Sequence, residues 1–364
     1  MIALIAIIVI ILACIIYFHL QCPVLNSVAT VFSAVIGVIV AFNFYETLAA
    51  IMITKDFMPN WAHSLSLLLL FVISTIVIRI AADQIIRSKI DFEDIAKYIA
   101  TIICGIVAGS IISGILIISL AMSPTAPGLP YARFPARSLK ANSLRPKKSV
   151  FADSFTAWLF SHISKGSLSS DKSFAVFHTD FINQTHLNYI KAGGDNGVAA
   201  IAGKNALVVP SRIGVRKSDN QIIIRAGLNK ANISDGGISD KQQKAEFTLS
   251  QVRLIYKDKN QNDYTSGKAG AAYPEQCILP GKASLARGDE ENQKTDLAEV
   301  ISLDRNDFTV LRKYGSIAWV DLVFKLPPGS IPVMLQFKQN AVAELPKPVN
   351  STEEIEQQLS NFGK

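Results

Sequence analysis

Charge is what the first third of this sequence has least of. No lysine or arginine occurs before Lys55, and across all 364 residues only 18% are charged, with a mean hydropathy of +0.30. A cleaved signal peptide needs a basic start and small residues before its cut site. This chain offers neither, since Gln21 stands at Leu20-Gln21-Cys22, so the first apolar run is expected to stay in place as a helix.

Cysteine is also scarce. Cys14 and Cys104 fall inside apolar runs, Cys22 in a short turn, and Cys277 alone in the polar part. A single polar-region cysteine forms no disulfide within its own domain, and no Cys-x-x-Cys or Cys/His cluster suggests zinc, so no metal site is expected. Beyond the apolar region the histidines are His162, His178 and His186. With no Gly-x-Ser-x-Gly or Gly-Asp-Ser-Gly segment beside them, a serine-protease triad lacks its nucleophile. The glycine turn Gly193 to Gly197 lacks the Lys-Ser or Lys-Thr of a phosphate loop. No catalytic residue and no cofactor is therefore expected.

What the chain does have is four long apolar stretches, Ile2 to Leu20, Val28 to Ile53, His63 to Ala82 and Ile95 to Met122. Each is close to the ~20 residues a helix needs to cross a bilayer. The expectation is a four-helix transmembrane domain over residues 1–122, with the lipid bilayer as its first partner. Orientation follows from the cations in short loops. Lys55 stands alone on one side, against Arg79, Arg87, Lys89 and Lys97 on the other, which makes the Asp83 to Asp94 loop cytoplasmic and everything after Met122 extracytoplasmic.

Two polar residues lie in the outer half of the second helix, Asn43 and Glu46. Polar groups at that depth are expected to face the bundle interior or its mouth. Two readings stand: an intramembrane polar site, or an Asn43 bond to a neighbouring helix with Glu46 reaching the interface. The fourth helix carries a small-residue row, Gly105, Gly109 and Ser113, expected to serve close helix packing with Gly37 as a partner groove.

Taken with the spacing of the four runs, the segments Phe42-Asn43-Phe44-Tyr45-Glu46 and Gly105-Ile106-Val107-Ala108-Gly109 resemble the colicin V production (CvpA-like) family of bacterial inner-membrane proteins. The chain departs from that pattern at Gln21-Cys22-Pro23, where the family commonly has a basic turn. The resemblance implies an inner-membrane protein with an envelope or export role.

Residues 123–148 form a proline-rich and basic linker. Pro124, Pro127, Pro130 and Pro135 favour extended chain, reaching roughly 80 Å at ~3.1 Å per residue. Its cations Arg133, Arg137, Lys140, Arg145, Lys147 and Lys148 contribute to a net charge of +7. They are expected to sit near anionic head groups, each worth ~1 kcal/mol there. Nucleic acid is not an expected partner, because the cluster belongs to no recognisable binding module. Residues 149–195 make a helical lead-in, in which Phe151, Phe155, Trp158, Leu159 and Ile163 fall at helical spacing. That face is expected to pack on the soluble domain, with the membrane surface as the alternative.

Over residues 196–346 short β-prone runs recur: Ala206 to Val215, Gln221 to Leu228, Glu246 to Lys257, Leu297 to Leu303, Ile317 to Leu326 and Ile331 to Phe337. Trp319, Asp321, Val323 and Lys325 alternate with Val320, Leu322, Phe324 and Leu326. The expected fold is an antiparallel β-sandwich, followed by a tail at 347–364. The segment Trp319 to Phe337, with Val323 to Gly329 at its centre, resembles immunoglobulin-like sandwiches of bacterial extracytoplasmic proteins. The function expected from the whole is a non-enzymatic inner-membrane protein displaying a periplasmic β-sandwich for protein or envelope binding. The alternative is a transporter or channel component with Asn43 and Glu46 lining a polar path. The sequence sets no oligomeric state.

Overall fold

Each apolar run folds as one uninterrupted helix in the computed structural model: α1 (Ile2–Gln21), α2 (Val24–Thr54), α3 (Ala62–Ile85) and α4 (Asp94–Ala121). All four are long and apolar enough to cross a membrane. A helix satisfies its own backbone groups, which is the condition for crossing hydrocarbon. The structure describes residues 2–86, 94–125, 128–135, 138–166, 174–191, 197–203, 206–209, 216–218, 221–229, 238–239, 244–258, 269–279, 293–303, 305–311 and 315–346.

α2 starts earlier than its apolar run, because Pro23 (φ −59°, ψ 154°) ends α1 and serves as the N-cap of the next helix. Two non-glycine residues of the α2–α3 connection, Asp56 (φ 53°) and Met58 (φ 47°), adopt left-handed backbone to make the reversal.

The chain divides into two compact units, one made of Met1–Arg133, Lys147–Ser169 and Phe181–His186, the other of Phe134–Pro146, Ser170–Asp180 and Leu187–Lys364. In the first unit α4 is the most enclosed helix, with Ala108, Ile111 and Ile115 fully buried. Its glycines do bring backbones close, though with a different neighbour from the one expected. A Cβ added at Gly105 would lie 2.7 Å from Ile15 Cα, and one at Gly109 2.8 Å from Ile11 Cα, so this row seats α1. Gly37 instead admits α3, at Phe71 and Thr75. Ser113 turns its hydroxyl onto the Gly109 carbonyl at 2.6 Å. Ser64 and Ser119 exchange hydroxyl-to-carbonyl bonds of 2.8 and 2.9 Å, tying α3 to the end of α4.

A fifth helix, α5 (Phe151–Lys165), completes this unit. Its buried stripe is Ala152, Thr156 and Phe160, whereas Phe151 and Trp158 are exposed, so the expected packing face is turned outward. The reason is volume. Gly114 of α4 leaves a notch in which a Cβ would meet Thr156 Oγ1 and the Ala152 carbonyl, and only small residues fit there.

The basic stretch is tied down instead of free. Phe134 and Leu139 are buried in the core of the second unit, and the Ser138 and Leu139 amides donate to Asp296 at 2.7 and 3.0 Å. Apolar side chains between the prolines supply that anchoring, which proline spacing does not reveal.

The second unit holds the short helix α6 (Phe174–Phe177) and a set of antiparallel sheets. Helix α7 (Phe181–Asn188) starts in the first unit and ends here. The strands are β1 (Leu207–Val208), β2 (Arg216–Ser218), β3 (Gln221–Asn229), β4 (Ile238–Ser239), β5 (Lys244–Thr248), β6 (Val252–Asp258), β7 (Gly270–Ala272), β8 (Gln276–Ile278), β9 (Gln293–Lys294), β10 (Val300–Leu303), β11 (Thr309–Leu311), β12 (Gly315–Lys325), β13 (Ser330–Phe337) and β14 (Ala341–Glu344).

The largest sheet runs β1-β3-β12-β8-β9, with β2 on β3 and β11 on β12; a second runs β10-β5-β4 and a third β14-β13-β6-β7. Register sets the faces. Leu322 lies opposite Ile224 and Phe324 opposite Ile222, both pairs inward, while Asp321 lies opposite Arg225 on the other face. There Arg225 makes two 2.7 Å bonds to the Asp321 carboxylate. The inward rows of all three sheets, among them Ile224, Phe247, Leu254, Ile301, Leu322 and Leu335, share one core.

The run Glu246 to Lys257, expected as one strand, is two. A turn of 3₁₀ helix at Leu249–Gln251 separates β5 from β6, held by a reciprocal Thr248/Gln251 capping box. The corner sends the chain from the second sheet into the third. No glycine or proline lies between Gly237 and Gly267, so only the cap itself marks the break at Thr248. The tail expected at 347–364 lies outside the described residues.

Candidate functional site

The densest polar group in the first unit assembles from three separated segments. Asp153 comes from the first turn of α5, Asn183 and His186 from one face of α7, and Tyr131 and Arg133 from the chain following α4. Positions 183 and 186 are three apart, which puts them on the same side of a helix.

The Tyr131 hydroxyl donates to Asp153 Oδ2, and Ser154 donates to Oδ1 at 3.0 Å. Arg133 Nη1 donates to the same tyrosine oxygen at 3.3 Å, and its Nε to Asn183 Oδ1 at 2.8 Å. The Tyr131 and His186 rings meet with centroids 4.7 Å apart. Tyr131 thus bridges a buried cation and a buried anion without direct contact between them.

The Tyr131 hydroxyl is raised by burial and by the Asp153 charge. His186 is driven down to about 3, first by burial and then by the Arg133 charge, so it is a neutral ring at physiological pH. The arrangement can hold a proton at Tyr131 and keep a charge pair out of water. Arg133, expected among the lipid head groups, is only 9% exposed and serves here instead, while Lys140, Arg145, Lys147 and Lys148 remain exposed.

Asn43 and Glu46 lie elsewhere. Both are on the exposed side of α2, and the inward positions belong to Phe42, Tyr45 and Ala49. The Asn43 amide donates to its own helix at Ile39 O (2.8 Å), and Tyr45 donates to Glu46 Oε1 at 3.0 Å. In the single chain neither side chain points into the interior of the bundle. At ~100° per residue, turning Phe42 and Tyr45 inward rotates 43 and 46 out. Gly105, Gly109 and Ser113 contribute packing, as described above.

In the second unit Arg253 gathers a comparable cluster. Its guanidinium donates to Gln336 Oε1 at 3.0 and 2.7 Å, to Asp180 and to the Phe177 carbonyl, and Tyr273 donates to Asp180 at 2.7 Å. Nearby in sequence, Lys338 is fully enclosed in left-handed backbone (φ 54°), its Nζ 5.6 Å from the Phe337 ring and without a hydrogen-bond partner. Burial lowers its pKa to about 7.

An amine whose folded pKa lies below its unfolded value near 10.5 weakens the fold below pH 7, and the cost fades as pH rises from 7 to 10.5. Lys338→Met is expected to raise the melting temperature at pH 6.5, with the gain shrinking by pH 9.5. A variant equally stabilised at both pH values would contradict this.

Among the described residues no group of three or more His, Cys, Asp or Glu is placed to hold a metal ion. The fold and its polar clusters define a membrane protein in which a region of four apolar helices is joined to a β-rich region. Comparisons with protein-family models, with curated proteins and with solved structures give no match.

Sequence reasoning took Arg133 for a head-group cation and missed its association with Tyr131 and Asp153. The available signal was weak: an aspartate, an asparagine and a histidine beside aromatic residues, in segments separated by tens of residues.

Proposed function

We propose that the chain is a non-enzymatic inner-membrane protein of CvpA-like type, whose bundle displays an immunoglobulin-like β-sandwich on the extracytoplasmic side for binding a protein of the cell envelope. The orientation is supported by the excess of short-loop cations around Asp83 to Asp94. The sandwich is supported by the shared core of the three sheets and by the Thr248 to Val252 corner that passes the chain between two of them. A binding role is favoured over catalysis because the strongest polar clusters spend their donors and acceptors on one another.

The observation that carries the reading is the edge strand β11. It pairs with β12 on one side, and its central residue Val310 is 81% exposed. An edge of this kind is what an added strand from a partner uses, with backbone bonds giving affinity and the apolar side chain a contact.

With a photo-crosslinking residue at Thr309 in the full-length protein in intact cells, one discrete adduct with an envelope protein is expected. Introducing Val310→Asp in the same background is expected to reduce that adduct at least fivefold. Absence of any intermolecular adduct, or one indifferent to Val310→Asp, would sink the proposal.

A further inference from the structure

Helix α5 carries its large aromatic residues on the wrong side for a helix of a soluble domain. Phe151 is 69% exposed and Trp158 60% exposed, on the side opposite the buried Ala152, Thr156 and Phe160. The outward rings form a continuous ladder: Phe151 on Phe155 at 5.5 Å, Phe155 on Trp158 at 6.2 Å and Trp158 on His162 at 5.6 Å, each near parallel. Such a surface in water would be a large unsatisfied apolar patch.

Its depth can be read against α1. That helix is 20 residues long, or ~30 Å at ~1.5 Å per residue, about the thickness of the hydrocarbon core. Gly109 of α4 faces Ile11, near the midpoint of α1, so the bilayer centre lies close to Gly109. Thr156 Oγ1 of α5 lies 3.5 Å from the Ser110 carbonyl, one residue away, and it fills the Gly114 notch one turn further out. Ala152 clusters with Ala3, Ile7 and Ile117, toward the end of the bundle where α1 begins. α5 therefore runs inward alongside α4, from the level of Ala3 toward the level of Ile11. Phe160 stacks on Phe42 at 5.0 Å, in the outer half of α2, so this end of α5 also stays in the outer half.

We infer that α5 is a re-entrant membrane helix, whose Phe151, Phe155, Trp158 and Leu159 face contacts lipid acyl chains in the outer half of the bilayer. The occupant follows from continuity. The exposed apolar side chains of α1 and α4 in the same half, such as Ile5, Ile8, Val9 and Leu120, need lipid for the same reason, and α5 lies against α4 over that depth. His162 and Lys165 mark where the apolar face ends, with stems long enough to reach toward polar surroundings. The inference rests on the four long helices crossing a membrane, and it does not depend on what the β-rich unit binds.

The test uses the full-length protein with Trp61→Phe and Trp319→Phe, leaving Trp158 as the sole indole, in phosphatidylcholine vesicles. Trp158 emission is expected to be blue-shifted and quenched at least twofold by acyl-chain nitroxide lipid, with little response to aqueous iodide. Strong iodide quenching would overturn the inference by placing the face in water. Insensitivity to both quenchers would also overturn it, by placing the face against protein. Should the double substitution fail to fold, the difference between wild type and Trp158→Phe under the same quenchers gives the same answer.

Discussion

Gly105→Leu and Gly109→Leu are each expected to unseat α1 from α4 and to lower the melting temperature of the detergent-solubilised protein markedly. The reason is what a side chain would meet. At Gly105 it is Ile15 Cα at 2.7 Å and Ile15 N at 2.9 Å, and at Gly109 it is Ile11 Cα at 2.8 Å. Backbone cannot rotate aside as a side chain can, so the cost should exceed the ~1–3 kcal/mol usual for overpacking.

Gly37 supplies the internal comparison. A Cβ there approaches Thr75 Oγ1 at 2.2 Å and the Phe71 ring at 3.3 Å, both parts of side chains that can turn. Gly37→Ala is expected to cost clearly less than Gly105→Ala. If the two alanine variants melt together, or if Gly105→Leu melts like the parent, α1 does not pack on α4 through this row.

The same glycines show what a sequence discloses and what it withholds. Length and hydropathy locate α1 to α4 closely, because the bilayer imposes one thickness and one way of satisfying the backbone. The small-residue row on α4 was visible too, yet its partner was not, since spacing on one helix says nothing about which neighbour arrives. The same limit explains α5. Helical periodicity in Phe151, Phe155 and Trp158 identified an apolar face, but periodicity is blind to whether that face meets protein or lipid. In the β-rich unit the alternation of Trp319 to Leu326 was sufficient to assign inward and outward rows, because the strand period of two leaves no ambiguity. The break at Thr248 to Val252 escaped because its residues suit a strand on either side. Least legible was the cluster around Tyr131, whose members are unremarkable until three segments bring them together.

That cluster carries the second large effect. Asp153→Ala is expected to destabilise the first unit by about 1–3 kcal/mol, the cost of leaving the buried Tyr131 hydroxyl without its acceptor. Arg133 would remain enclosed, holding only Asn183 and a tyrosine oxygen that has lost its own acceptor. Combining Asp153→Leu with Arg133→Met should cost less than the sum of the single changes, because it removes both charges from the interior.

Protons act through His186. Above pH 6.5 its imidazole is neutral folded or unfolded, and its contribution to stability is complete. As pH falls from 6.5 toward 3 the unfolded chain takes up a proton that the half-buried ring beside Arg133 refuses, so stability declines by up to about 1.4 kcal/mol per pH unit. His186→Phe keeps a ring against Tyr131 and removes the titration. Chemical denaturation between pH 7 and 4.5 is then expected to show a weaker acid loss in His186→Phe than in the parent protein. Identical pH profiles would mean that His186 is hydrated in the folded state and that the cluster is open to water, and the buried Tyr131 bridge between Arg133 and Asp153 would have to be abandoned with it.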